Sequence, residues 1–181
     1  MQVIAIGGEP GSGKSTLMKR LIQHYGVEPK YSEVKLVPYL QKDNIYILGK
    51  YEEGEVFSGT DRMSMAVQPE AIKFCASLPI DSIVLFEGDR LFTASFLEDC
   101  IDKYGLEIIY LSTDKSIRKQ RYLDRGSEQD DTWLRGRETK IANILTNMNL
   151  LFNVSRYNNN TIEDQNFVYD AILKYVEDKI E

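Results

Sequence analysis

The chain has 181 residues, 43% of them apolar and 28% charged, with a formal net charge of −6. That length is enough to bury the core of one domain. It holds no apolar run near the ~20 residues of a membrane-spanning helix, and an acidic chain does not coat nucleic acid indiscriminately.

The N-terminus carries no basic stretch followed by a long apolar segment, so a cytoplasmic protein is expected. Cys75 and Cys100 stand in partly apolar, helix-like surroundings and are expected as buried free thiols. The single histidine, His24, leaves no partners for a zinc site.

Residues 2–7 are apolar and rich in β-branched side chains, which predicts a buried strand. A glycine-rich turn follows, then a helix over 14–25 with Leu17, Leu21 and Ile22 on one face and Gly26 as its C-terminal cap. Pro29 and Pro38 break any pattern over 27–44, and no element is assigned there. A strand is read at 45–48 and a helix at 68–78, with Pro69 in its first turn. A continuously apolar strand at 83–86 has the character of a central parallel strand. A helix at 94–104 and a strand at 107–111 come next. Asp114 is placed to cap a helix over about 115–125. Further elements are a helix at 133–152, a strand near 153–157 and an amphipathic helix at 162–180. Strands alternating with helices predict an α/β fold with a parallel sheet between helical layers.

The clearest motif is Gly8-Glu9-Pro10-Gly11-Ser12-Gly13-Lys14-Ser15, with Thr16 as a second hydroxyl. It fulfils G-x-x-x-x-G-K-[ST] in the right context, after a strand and opening a helix. Glycines let backbone N–H groups turn inward on phosphate oxygens, and the helix N-terminus adds partial positive charge. Gly8 to Thr16 are therefore candidates for binding a nucleoside triphosphate. Lys14 is expected at the β- and γ-phosphates and the Ser15 hydroxyl on Mg²⁺.

Glu87, at the carboxyl end of the apolar strand, stands where such sheets bind ligands. It can hold Mg²⁺ through water or take a proton from an acceptor, and Asp89 is a second candidate. Residues 115–140 carry eight Lys/Arg against five acids. Arg118, Arg121 and Arg125 share one helix face by spacing, and Arg135 and Arg137 follow. Such a set suits stabilising charge on a transferring phosphoryl group, with Arg121 and Arg125 the foremost candidates. Gly126 and Gly136 can hinge a lid over about 118–137.

The segment after the 45–48 strand, Gly49-Lys50-Tyr51 and Phe57-Ser58-Gly59-Thr60-Asp61-Arg62-Met63-Ser64, reads as an acceptor-binding loop. Asp61 can deprotonate an acceptor hydroxyl and Arg62 can hold a phosphate. Tyr51 and Phe57 can stack on a base, and Thr60 is a further binding candidate. The loop near Tyr157–Thr161 is expected to meet the nucleotide base.

In this order the motifs resemble the P-loop nucleoside and nucleotide kinases over nearly the whole chain. The resemblance implies one domain over 1–181, a five-stranded parallel sheet in the order 2-3-1-4-5, an arginine-rich lid, and ATP with Mg²⁺ as cofactors. The acceptor-phosphate pattern common in monophosphate kinases is absent. In its place, Leu48-Gly49-Lys50-Tyr51 with Phe57 to Ser64 is similar to the bacteriophage 5-hydroxymethyluracil DNA kinases. That implies γ-phosphate transfer to the hydroxymethyl group of a pyrimidine in modified DNA. A kinase of a free nucleoside, nucleotide or other small metabolite is the alternative. A nucleotide-binding switch without an acceptor is a third reading, although no Asn-Lys-x-Asp stretch is present.

Overall fold

In the computed structural model the described residues are 1–30, 36–54, 58–126 and 130–180. The elements in chain order are β1 (Gln2–Gly7), α1 (Lys14–Tyr25), β2 (Glu28–Lys30), β3 (Tyr39–Lys42), β4 (Ile45–Leu48), α2 (Val67–Ser77), β5 (Ile83–Glu87), α3 (Ala94–Lys103), β6 (Gly105–Ser112), α4 (Lys115–Asp124), α5 (Asp131–Leu145), β7 (Val154–Asn158) and α6 (Ile162–Ile180). Short 3-10 turns lie at Thr60–Arg62 and Leu151–Asn153.

Seven strands form one sheet in the order β2-β3-β4-β5-β1-β6-β7. The expected sheet of five parallel strands is corrected to a mixed one. Strands β4, β5, β1, β6 and β7 are parallel neighbours and hold the expected relative order. Strands β2 and β3 add an antiparallel extension beside β4. Every residue of β2 is exposed, so no alternation of apolar residues marks it. Pro29 is tolerated because β2 is the edge of the sheet.

Strand β1 shows why both faces are covered. Val3 and Ala5 point into a core formed with Phe74 of α2, Phe96 and Leu97 of α3, and Ile141 and Ile144 of α5. Ile4 and Ile6 point into the opposite core, with Leu17 and Leu21 of α1 and Val168, Ile172 and Val176 of α6. Successive side chains of a strand alternate faces, and a parallel strand must be apolar on both. Cys75 and Cys100 are free and buried in the first of these cores.

The end of one helix and the cap of another differ from expectation. Helix α5 stops at Leu145, because the Thr146-Asn147 step leaves helical geometry and the Asn147 side chain accepts from the Asn149 N–H. Turn formation by Asn competes with the helix there. Asp114 stands at the N-terminus of α4 without a side-chain capping bond; its own N–H donates to Asn160 Oδ1 at 2.8 Å. Gly26 caps α1 as expected, left-handed at φ 60°, with its N–H on Ile22 O.

Candidate active site

The loop of Gly8–Ser15 joins β1 to α1 at the carboxyl edge of the sheet. Gly13 has φ 91°, and a Cβ there would lie 2.4 Å from Asn159 Nδ2, so both conformation and space require glycine. Lys14 Nζ donates to the carbonyls of Gly8 at 2.8 Å and Glu9 at 3.2 Å. Its ammonium thus sits over the loop from which a triphosphate would draw it. Ser12 is fully buried. Glu9 turns its carboxylate away from the loop: Tyr110 donates to it at 2.8 Å, and Arg118 lies 3.9 Å off. The Pro10 carbonyl accepts from the Tyr122 hydroxyl. The loop is therefore braced by β6 and α4.

Opposite Ser15 stands Glu87, the last residue of β5. The register that pairs Ile6 with Glu87 brings the carboxylate level with the start of the loop. Ser15 Oγ donates to Glu87 Oε1 at 3.1 Å. Glu87 is buried, and loss of water pushes its carboxyl up to about 7; Lys14 opposes that shift while Asp61 and Asp89 add to it. Asp61 also titrates above its ordinary range, chiefly through burial and then through Asp89. The Asp89 N–H donates to Asp61 Oδ1 at 2.6 Å and pulls the other way. Asp89 is itself paired with Arg137 of α5 at 2.6 Å, and Lys140 Nζ donates to its carbonyl at 2.7 Å. Burial lowers the Lys140 ammonium.

This convergence depends on Gly59. It adopts φ 73° and ψ −146°, and a Cβ there would lie 2.3 Å from Glu87 Oε1. Reciprocal backbone bonds between Lys50 and Gly59, at 3.1 and 2.8 Å, hold the segment against the end of β5. Thr60 is fully buried and its hydroxyl has no partner among the described residues. The Tyr51 ring packs on the apolar cluster under α1, with its hydroxyl buried and without a partner among the described residues. Burial and then Glu87 and Asp61 push that hydroxyl well upward. Arg62 pairs with Glu52 at 2.5 Å. Phe57 lies outside the described residues.

The arginines divide between two places. Arg118 reaches Glu138 at 3.2 Å, and Arg137 holds Asp89 while its guanidinium lies 4.9 Å from the Trp133 ring centre. Arg121 donates to the carbonyls of Gly11 and Asn159, both at 3.0 Å, and of Asn160 at 3.3 Å. With Arg125, Gly13, Thr16, Asn160 and Gln165 it lines an open pocket of about 410 Å³. That pocket adjoins the loop on the side of α6, where the 157–161 stretch was expected to meet a base.

Motif reading missed Tyr110 and Tyr122, took Lys140 only as one of the eight cations of 115–140, and gave Asn159 no role at the phosphate-binding loop. None belongs to a linear signature. Asn159 was legible only as one residue of the 157–161 stretch expected to meet the nucleotide base.

Among the described residues, no group of three or more His, Cys, Asp or Glu side chains could hold a metal ion. One hydroxyl and one carboxylate, Ser15 and Glu87, form the sparse oxygen set that suits Mg²⁺ carrying phosphate and water ligands. No helix among the described residues is long and apolar enough to cross a membrane.

The model of the P-loop Nucleotide Kinase3 family matches residues 1–159, a span from β1 to Asn159 that includes the phosphate-binding loop, Glu87, Asp61, Asp89 and the arginines of α4 and α5. The chain belongs to this family. It is a P-loop kinase: a nucleotide-binding phosphotransferase built on the α/β fold expected from its motifs. A gluconokinase from Sinorhizobium meliloti shares that fold at TM-score 0.52 and 12% identity, with 99% of this chain and 98% of that one covered. An uncharacterized protein from Eubacterium ventriosum aligns at TM-score 0.49 and 17% identity, with 98% and 99% covered. No curated protein matches significantly.

Proposed function

We propose that this kinase moves the γ-phosphate of ATP to a hydroxyl, namely the hydroxymethyl group of 5-hydroxymethyluracil in phage DNA. The observation that carries the reading is Asp61, a half-buried carboxylate that accepts from the Asp89 N–H at 2.6 Å and lies close enough to Lys14 and Glu87 to interact with both electrostatically. A phosphate acceptor is already anionic and needs no base. A hydroxyl acceptor gains from one, and a carboxylate with a raised proton affinity supplies it. The choice of 5-hydroxymethyluracil follows the resemblance carried by residues 48–51 and 57–64.

In this reading residues 1–181 work as one domain. The amides of Gly8–Ser15 and the Lys14 ammonium hold the triphosphate. Ser15 and Glu87 would hold Mg²⁺, which would supply positive charge to the phosphates. The acceptor oxygen forms a bond to the γ-phosphorus as the bond to the β–γ bridging oxygen breaks. The acceptor proton passes to Asp61, and ADP leaves with the bridging oxygen. Arg137, beside Asp89, meets charge developing on the transferred group. Arg121 and Arg125, lining the pocket beside Gly13 and Thr16, meet the nucleotide from the other side. Thr16 and the 157–161 loop receive the ribose and base. Thr60 and Arg62 form the acceptor side.

A free nucleoside or nucleotide is the second reading. The net charge of −6 favours a small acceptor over a polyanion, and the family is one of nucleotide kinases. Transfer of γ-labelled phosphate to duplex DNA containing 5-hydroxymethyluracil, unmodified DNA, and a panel of free nucleosides and monophosphates decides between them. Lys14→Ala is the blank. Label on the modified duplex alone is the expected result, and label on a free compound alone selects the second reading.

A further inference from the structure

Asn159 is absent from every motif, yet it is fully buried beneath the phosphate-binding loop. Its Nδ2 donates to the Ser12 carbonyl at 2.6 Å. Thr113 Oγ1 reaches the same carbonyl at 3.4 Å. The residue is itself held on three sides. Its N–H donates to Ser112 O at 2.8 Å, and its carbonyl accepts from Thr113 Oγ1 at 3.1 Å and from Arg121 at 3.0 Å.

The carbonyl it grips belongs to the peptide unit between Ser12 and Gly13. In a trans peptide the C=O and the following N–H point in opposite directions. Anchoring Ser12 O beneath the loop therefore turns the Gly13 N–H toward its opposite, phosphate-facing side. Gly13 needs such an anchor. Glycine crosses between backbone basins at little cost, and a flipped peptide would present an oxygen to an anion. The contact is also tight, since any Cβ on Gly13 would meet the same Nδ2.

We propose that Asn159 is the positioning residue of the phosphate-binding loop, which sets triphosphate affinity by fixing the Ser12–Gly13 peptide. The proposal rests on the reading of Gly8–Ser15 as the triphosphate cradle. It also makes the loop after β7 a support for the phosphates, and not only a neighbour of the base.

The test measures binding of Mg²⁺-ATP and of Mg²⁺-tripolyphosphate, which has no base, to wild type, Asn159→Asp and Asn159→Ala. Asn159→Asp keeps the shape and removes the donor. Both ligands should weaken roughly 10- to 100-fold, as expected for one buried hydrogen bond lost. The acceptor KM should stay within about twofold, because the acceptor lies on the Glu87 side. Thr113→Val, a gentler change at the same carbonyl, should weaken both ligands by a smaller factor and covers failure of the Asn159 variants to fold. Unchanged affinity in folded variants would overturn the proposal. Weakened ATP with unchanged tripolyphosphate would also overturn it, by assigning Asn159 to the base. If wild type binds neither ligand, the cradle reading itself fails and takes the proposal with it.

Discussion

Replacing Glu87 with glutamine should stabilise the ligand-free protein, and more so as pH rises. Burial moves the Glu87 carboxyl from 4.5 to about 7. Below its ordinary range the group is protonated in both the folded and unfolded chain, and its contribution is at its full favourable value. As pH climbs through the folded value near 7, the folded protein must hold a buried carboxylate. About 3 kcal/mol of stability is then lost relative to acid pH. Glutamine has the same shape, never ionises, and can still accept from Ser15 Oγ. The stability gap between variant and wild type should therefore open between about pH 4.5 and pH 7 and level off near 3 kcal/mol. For a chain of this size that is roughly 6–12 °C in Tm. The assay is thermal and urea unfolding of both proteins without nucleotide, from about pH 4 to pH 9. Added Mg²⁺-ATP should close the gap, since a cation favours the ionised carboxylate. A gap that does not change with pH would refute the reasoning, because it would mean that Glu87 ionises as an ordinary carboxylate.

Asp61→Asn should lower kcat by about 10²–10⁴-fold with ATP affinity nearly unchanged; full activity would remove Asp61 as the base. Arg137→Ala should lower kcat and kcat/KM together, by roughly 10²-fold or more, as expected for a cation that acts mainly in the transition state. A change in KM alone would give Arg137 a ground-state role. Gly59→Ala should destabilise the fold by roughly 1–3 kcal/mol in urea unfolding, because its Cβ meets Glu87 and its φ is left-handed. A neutral result would mean that the 58–62 segment does not press on β5.

The parts legible in the sequence were those encoded in contiguous residues. Helices α1 and α6 were read at their observed bounds, because a P-loop fixes the start of one and a strong apolar stripe the extent of the other. Strand β5 was read one residue short. The β2–β3 extension was not legible. Its first strand is three exposed residues with a proline in the middle, and an edge strand needs no burial pattern. In the site, Lys14, Ser15 and Glu87 were recognised from type and context, and the structure brings them together. The Arg137–Asp89 pair and the Asn159 anchor arise only when distant segments meet at the sheet edge, 48 and 147 residues apart in the chain. Tyr51 shows the same limit from the other side. Its sequence context suggests a stacking platform, but it stands three residues past the fully buried β4, and its ring packs against the core there.

The most direct test of the central claim compares kcat/KM for duplex DNA carrying 5-hydroxymethyluracil with that for free 5-hydroxymethyldeoxyuridine, followed by digestion of the labelled duplex to nucleosides and mass spectrometry of the product. The account predicts a clear preference for the duplex and phosphate on the hydroxymethyl oxygen of the base. Preference for the free nucleoside, or phosphate on a sugar hydroxyl, would contradict it.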